Sequence, residues 1–484
     1  MPFPKLSDQF RCERLTLPCG PVRIFVVLCG LSLSACPSLT QAGVLEDKTE
    51  ELLKEGERPE NMGCAWGDYN NDGWVDMTVA GHLWRNEGGK KFTHVSSNIG
   101  VGSWGDWDND GFLDLYAQPG SVSRYDPDKD AFERITLYDG EMDGSRAMCW
   151  ADLDGDGDLD VYAAGIEGGP ARDMVLTNDA GRQFLKTFEH AGLYGRGVTA
   201  CDFDQDNDMD VYVTNYRLKP NHLWLNDGNG KLTDVAAEYG ATGGRGHGIG
   251  SCWGDIDNDG YFDIYAGNFA HRGQPHSRFL RNLGPEKGFK FEDLGECGVG
   301  YQESFASPTL ADYDNDGDLD VYFTTIYRTA SYGRRNYPVL YRNDGDWKFT
   351  NVSPPAGIDG LGPTYQAAWA DIDNDGDLDL MTAARIFVNQ GNDYHWLKIR
   401  LAGDGKTVNR AAIGAQVRIR LGDKVLTRQV EAGTSGHGNQ NDPTLHFGLG
   451  AHGEEVSYTI TWPDGTRQTG ITGVDRHVTV QLKR

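Results

Sequence analysis

Seven nine-residue segments of the chain carry oxygen-bearing side chains at alternate positions. The first places Asp68, Asn70, Asp72 and Asp76 at positions one, three, five and nine. The second places Asp106, Asp108, Asp110 and Asp114 there, and the third Asp152, Asp154, Asp156 and Asp160. Asp202, Asp204, Asp206 and Asp210 follow, then Asp255, Asp257, Asp259 and Asp263. Asp312, Asp314, Asp316 and Asp320 make the sixth set, and Asp371, Asp373, Asp375 and Asp379 the seventh. Four acids within nine residues repel one another and destabilise a fold unless a cation neutralises them. Alternate spacing on a tight turn points three side chains at a common centre. Position six must turn sharply, and it is Gly73, Gly111, Gly157, Gly260, Gly317 and Gly376, with Asn207 in the fourth copy. Both residue types tolerate a left-handed backbone. The position-seven carbonyl, on Trp74 in the first copy, adds an oxygen, and the position-nine carboxylate closes the shell. A flexible, charged, all-oxygen shell suits Ca²⁺ better than Mg²⁺ or Zn²⁺, so up to seven Ca²⁺ are expected. At extracellular Ca²⁺ levels they contribute roughly 3–10 kcal/mol together, so their first role is structural. The bland alternative is an acidic turn without metal. It weighs most on the first copy, with Asn70, and on the fourth, which lacks Gly. Asp158, Asp208, Asp318 and Asp377, at position seven, read as solvated side chains.

The elements that position these loops follow from the spacing between copies, 38 to 59 residues from start to start. Most copies are followed by a second motif, as in His82-Leu83-Trp84-Arg85-Asn86, His222-Leu223-Trp224-Leu225-Asn226, Val339-Leu340-Tyr341-Arg342-Asn343 and Ile386-Phe387-Val388-Asn389. A Gly-rich turn and a strand such as Lys91–Val95 or Lys348–Val352 then complete the unit. Each unit is thus several short strands punctuated by turn residues, with no long helical period. Four-stranded repeats of this length predict a β-propeller, here of seven blades (residues 43–393), whose radial closure protects strand edges. The seventh copy lacks its own last strand, and Val44–Glu50 is expected to supply it and clasp the ring shut. Beyond about Tyr394 the pattern changes. Trp396–Leu401 and Val417–Arg420 alternate apolar and polar, which predicts a small antiparallel β domain over residues 394–484. From residue 395 onward it carries 12 Lys and Arg against 8 Asp and Glu, a formal +4, leaving −31 on the remainder. Outward-facing strand residues are the preferred reading of that charge, and a basic face docked on the acidic propeller or an anionic glycan is the sharper one.

The loops and their flanks resemble FG-GAP/VCBS repeats, the Ca²⁺-bearing blades also found in integrin α subunits. Asn409–Ala415, Leu445–Gly450 and Thr461–Gly465 resemble the ASPIC/UnbV C-terminal domain. Together they resemble the cartilage acidic protein family and its bacterial relatives. That resemblance implies a secreted, Ca²⁺-binding, non-enzymatic protein. The segment Gly436-His437-Gly438-Asn439-Gln440 departs from the apolar-plus-Ser pattern expected of that domain.

Composition narrows the function further. A net charge of −27 over 484 residues argues against nucleic acid, and 11% aromatics excludes a disordered acidic tail. The only apolar run, Val22–Ala35, is too short to span a bilayer but has the length of an export signal. Lys5, Arg11, Arg14 and Arg23 form its basic region within residues 1–42. Two endings stay open: a lipobox at Leu33-Ser34-Ala35-Cys36 that would lipidate Cys36, or cleavage after Thr40-Gln41-Ala42. Either carries the protein out of the cytoplasm, secreted or lipid-anchored at a bacterial envelope, the anchor being the only membrane link. Cys64, Cys149, Cys201, Cys252 and Cys297 remain, four of them just ahead of a loop, and read as small buried side chains rather than disulfides. Trp66, Trp104, Trp150, Trp253 and Trp369, each two residues before a loop, read as packing between blades.

No catalytic constellation stands out. Gly243–Gly248 is Gly-rich but precedes a strand, so it reads as a turn, and His222, His247, His271 and His276 read as surface residues. Two function classes remain. The preferred one is an exported binding or adhesion module for an extracellular protein or glycan. The alternative is a Ca²⁺-dependent polysaccharide lyase or hydrolase using the Arg/Tyr-rich insert Tyr327–Tyr341, which would need its bases near a cleft carboxylate.

Overall fold

The structure is a computed structural model. It describes residues 44–484 except 55–57, 118–119, 137, 139–146, 166–171, 192–193, 434–435 and 437. The export run, Cys36, both cleavage positions and His437 lie outside the described residues.

Seven four-stranded antiparallel sheets occupy the repeat region. Each second strand begins on a position-nine Asp, so every acidic loop joins the innermost strand of a sheet to the strand beside it. The innermost strands are Cys64–Gly67, Trp104–Gly105, Ala147–Ala151, Gly195–Cys201, His247–Gly254, Phe305–Ala311 and Ala367–Ala370. Gly, Ala, Ser and Cys dominate them, because strands that converge on an axis leave room for little else. Cys64, Cys149, Cys201 and Cys252 are buried free thiols in these strands, as expected, and Cys297 is half-buried.

Successive innermost strands face one another around a ring, the first against the seventh, with the second and third sheets joined through Trp150. Tryptophans bridge three of the joints. Trp66 Nε1 donates to Ala368 O, Trp104 Nε1 to Ala65 O and Trp150 Nε1 to Ser103 O, each reaching back one sheet. The five repeated tryptophans are all buried, which agrees with packing rather than a sugar platform. The seventh sheet takes its outer strand from the start of the described chain. Leu45–Asp47 pairs antiparallel with Arg385–Asn389, Leu45 opposite Asn389 and Asp47 opposite Phe387. The N-terminal segment therefore closes the ring as the sequence predicted, covering an edge that would otherwise offer unpaired donors and acceptors.

The C-terminal region forms two sheets. One has the order Leu445–Gly450, His395–Ala402, Arg476–Gln481, and the other Lys424–Gln429, Gln416–Leu421, Val456–Thr461, Arg467–Thr472. One pairing departs from the antiparallel expectation: His395–Ala402 and Arg476–Gln481 run parallel, Leu397 opposite Arg476. Parallel neighbours need a long crossover, and the whole of the other sheet supplies it. These sheets do not stand apart from the propeller. Leu397, Ile399, Val417, Phe447 and Trp462 share one continuous apolar cluster with Trp150, Val161, Leu176 and Phe184 of the third sheet.

The segment around Gly436 has a definite place. It runs inside the ring and bonds to the innermost strands. Trp150 N donates to Ala432 O, and Gln440 N to Cys64 O while Trp66 N donates to Gln440 O. The Gln440 side chain bridges to the second sheet, accepting from Trp104 N at 2.6 Å. Asn439 Oδ1 accepts from Cys64 N and Ala367 N, and Asn441 Oδ1 from Trp369 N. An apolar loop could not meet the exposed backbone groups of this axis, which is why Asn and Gln stand here. Gly436 has φ +109°, and a Cβ there would lie 2.8 Å from Arg196 O, so side chains are excluded where the loop turns.

Candidate metal centres

Each acidic loop is shaped by its own carboxylates. In all seven, the position-six N–H donates to the position-one Asp. The position-seven N–H donates to the position-five Asp. Position six is left-handed throughout, φ +76° to +98°. Position four is left-handed as well: Asn71, Asn109, Gly155, Gln205, Asn258, Asn315 and Asn374.

The position-nine carboxylates have a larger structural share than the sequence suggested. Each is buried, and one oxygen accepts a backbone N–H from the third strand of its sheet, as from Asn86 to Asp76 or Asn282 to Asp263, both at 2.8 Å. In five loops the other oxygen accepts the position-two N–H. These residues stitch loop to sheet, yet Asp114 and Asp160 still present oxygens within 4.8 Å of those of their own loops.

Whether the loops fit a cation is decided by oxygens that nothing in the protein satisfies. Position-three Oδ1 is buried without a hydrogen-bond donor in six loops, on Asp108, Asp154, Asp204, Asp257, Asp314 and Asp373. The position-one Oδ1 of Asp202, Asp255 and Asp312 shares that state. A buried carboxylate oxygen without a partner is costly, and a hard divalent cation removes that cost. In the second to sixth loops three carboxylates converge, Asp106, Asp108 and Asp114 being one example and Asp312, Asp314 and Asp316 another. Desolvation first, and neighbouring carboxylates after it, raise Asp106, Asp152 and Asp202 to about 7, against the opposing position-six N–H bonds. Asp255 rises to about 8, with desolvation again the main cause and donors from Thr427 and Gly260 opposing it.

The first loop does not share this chemistry. Asn70 Oδ1 accepts Asp72 N, and its Nδ2 donates to Asp72 Oδ2. Arg400 NH1 lies 2.6 Å from Asp68 Oδ2. The seventh loop is intermediate, with Lys398 Nζ at 3.0 Å from Asp371 Oδ2, both side chains almost wholly buried. Here the basic C-terminal strand is docked on the acidic loops, the reading that the sequence ranked second. Backbone groups do the same at the sixth and fifth loops, where Gly448 N donates to Asp312 Oδ2 and Val425 N to Asn258 O. The C-terminal sheets thus sit on the loop end of the ring.

The roles of two sets of residues escaped the sequence analysis. Position-four side chains tie each loop to the next: Asn71 donates to Gly111 O, Asn109 to Gly157 O, Gln205 to Gly260 O, Asn258 to Gly317 O, Asn315 to Gly376 O and Asn374 to Gly73 O. The chain of links is interrupted only at Gly155, which has no side chain. Asn109, Asn258 and Asn315 also donate to Asp158, Asp318 and Asp377. Those position-seven acids are therefore inter-loop acceptors rather than solvated side chains. The second set is the Asn that closes the third strand. Asn86, Asn178, Asn226, Asn282, Asn343 and Asn389 each donate to the position-two carbonyl of the preceding loop, at 2.7 to 3.1 Å. Position four is Asn in five of seven loops, a repetition as visible as that of the aspartates.

Family models match the same segments. An FG-GAP-like repeat model covers residues 106–163, 202–266 and 312–382, and an ASPIC and UnbV model covers residues 405–483. The chain is an FG-GAP repeat protein with a C-terminal ASPIC/UnbV domain. Its relatives include cartilage acidic protein 1 of Mus musculus, 30% identical over 288 residues, which are 56% of this chain and 42% of the relative. The Homo sapiens protein of that name is 29% identical over 288 residues, 56% of this chain and 41% of the relative. The chain thus spans about two fifths of the curated relatives it matches. Among solved structures, the Dos1 propeller is similar over 73% of this chain and 96% of that one, with 8% identity and a TM-score of 0.34. Among the described residues, no helix is long and apolar enough to cross a membrane.

Proposed function

We propose that the protein is an exported, calcium-held propeller of seven blades that acts as a non-enzymatic binding module for an extracellular protein or glycan. The observation that carries the metal part is the unsatisfied Oδ1 at position three of six loops. Asp106, Asp108, Asp110 and Asp114, and the corresponding acids of the third to sixth loops, are the residues that would hold Ca²⁺. The ion would supply charge neutralisation and rigidity, with no part in bond chemistry. The seventh loop would bind in competition with Lys398, and the first, held by Arg400 and its own Asn70, would bind weakest. Relatedness to the cartilage acidic proteins supports the extracellular setting. The binding surface would be the end of the ring opposite the loops, since the C-terminal sheets cover the loop end.

The test has two parts. Bound metal is counted on purified protein exchanged into millimolar Ca²⁺, where five or six ions per chain are expected and none would end the metal reading. The same sample is applied to glycan and extracellular-protein arrays, with soluble products assayed alongside. Retention without product supports a binding module, whereas steady release of reducing or unsaturated ends would transfer the argument to the lyase or hydrolase reading.

A further inference from the structure

The second strands start at the acidic loops, so the connections that follow them emerge at the opposite end. There the fifth and sixth sheets enclose a cleft of about 310 Å³ lined by Arg272, Tyr301, Glu303, Arg334, Arg335 and Asn336, among others. It is the pocket that the Tyr327–Tyr341 insert builds. Its walls are fixed from within. Glu303 is buried and accepts hydrogen bonds from Ser331 N and Oγ and an ion-pair contact from His271 Nδ1 at 2.5 Å. Gln302 exchanges two hydrogen bonds with the Tyr337 backbone. Both ends of the insert are therefore pinned to the 302–303 turn before any ligand arrives.

What remains open in the cleft is positive. Arg272, Arg334 and Arg335 are exposed, and none makes an ion pair among the described residues. In a chain of net charge −27, three arginines beside one pocket with no carboxylate partner are unusual. The only acid in the lining among the described residues, Glu303, is already engaged by His271 and Ser331. A second observation points inward. Asn336 is 4% exposed, and its Nδ2 has no acceptor among the described residues. A buried amide N–H₂ left without an acceptor is a donor awaiting one; this one is closed to water, so the wall of the cleft must shift slightly for a ligand oxygen to reach it. Beside it Tyr301 is held flat by stacking on His276, ring centroids 4.1 Å apart, which gives a rigid aromatic plane next to the guanidinium groups. Forked donors read planar carboxylates, and a flat aromatic ring receives the apolar face of a sugar.

We propose that this cleft binds a carboxylate-bearing sugar of an acidic polysaccharide, with Arg334 and Arg335 on the carboxylate, the Asn336 amide donating to it or to a neighbouring hydroxyl, and Tyr301 beneath the ring. Its volume is that of one or two sugar units. The assignment rests on the binding-module reading of this end and names its ligand class. Ser331 Oγ and His271 both turn to the same Glu303 oxygen, so all three are engaged in holding the wall of the cleft.

The experiment is isothermal titration of the full chain in millimolar Ca²⁺ with a xylo-oligosaccharide carrying one glucuronate, and with the neutral xylo-oligosaccharide of equal length. Binding of the acidic sugar, at least about tenfold weaker in Arg334→Glu/Arg335→Glu, is expected, tenfold being the loss of one charge-assisted hydrogen bond. Asn336→Leu, which keeps the volume and removes the donor, is expected to weaken it too, with melting temperature checked on both variants. Equal affinity for the neutral sugar, or binding unchanged by the arginine reversals, overturns the cleft. Absence of any binding by the wild type overturns it as well, while array binding to other ligands would leave the module reading standing.

Discussion

Lys398 shows how closely the two parts of the chain are fitted. It is 3% exposed and pairs with a wholly buried Asp371. Removing one partner of a buried pair leaves the other charge uncompensated, at a typical cost of about 3–5 kcal/mol. Lys398→Met is therefore expected to lower stability by about that much in EDTA, and by less in Ca²⁺, because the cation can take the place of the ammonium. Equal losses in the two conditions would remove the seventh loop from the metal set. Glu431 gives a pH signature. It is half-buried and lines a pocket between the ring and the C-terminal sheets. Desolvation raises it to about 7, partly opposed by a hydrogen bond from Asn441. A carboxyl raised in the folded state adds stability at low pH that fades as pH climbs through 7. Wild type should thus lose stability from about pH 4.5 to just above pH 7 relative to Glu431→Gln; parallel melting curves across that window would show that the group does not titrate there.

The inter-loop asparagines and the closing strand make the ring cooperative. Asn258 is buried and donates to both Gly317 O and Asp318 Oδ1. Asn258→Ala is expected to cost about 1–3 kcal/mol, since it strands two acceptors, and urea unfolding would measure it. The same exchange at Asn71, whose link is exposed, should cost less. The Leu45–Asp47 strand is the other tie. Deleting residues 43–56 leaves the Arg385–Asn389 edge open and exposes the site of Leu45, which is 1% exposed in the intact chain. A marked fall in melting temperature is expected, and a normal melt would show that the ring does not depend on this closure.

For the molecule as a whole, the proposed cations and the C-terminal sheets would act on the same set of carboxylates. Arg400, Lys398 and Gly448 N reach Asp68, Asp371 and Asp312, three position-one carboxylates. If Ca²⁺ fills the loops as proposed, stripping it leaves unneutralised carboxylates beneath the docked sheets, so EDTA should both lower the melting temperature and quicken proteolysis between residues 394 and 484. Destabilisation of the ring with the C-terminal region still protected would separate the two. The segment inside the ring predicts the reverse coupling. Replacing residues 433–441 by a short Gly/Ser link removes the partners of Cys64 N, Trp66 N, Trp104 N and Trp369 N, and the repeat region should melt earlier even in Ca²⁺.

Much of this protein was legible along the chain because repetition turns weak local signals into strong ones. Asp at positions one, three, five and nine, Gly at six and a four-strand period between copies predict the sheets and the tight acidic loops without any tertiary information. The N-terminal closing strand was legible too, since the seventh repeat visibly lacked its last element. What the chain alone left open are contacts between residues hundreds of positions apart. Nothing near Asn71 or Asn374 tells which carbonyl each will reach, because that depends on the angle between neighbouring sheets. The charge of the C-terminal region was visible, but whether Lys398 and Arg400 meet solvent or the acidic loops is decided by which face of a half-buried sheet packs inward. The segment around Gly436 read as a departure from pattern, and its Asn439 and Gln440 proved to be polar filling of the axis, a role defined only when the ring closes around them. Arg334, Arg335 and Asn336 likewise meet Arg272, Tyr301 and Glu303 only because two sheets place their connections side by side. Spacing within a repeat determines which atoms a loop can gather; closure of the ring determines which of those atoms are answered by distant parts of the chain.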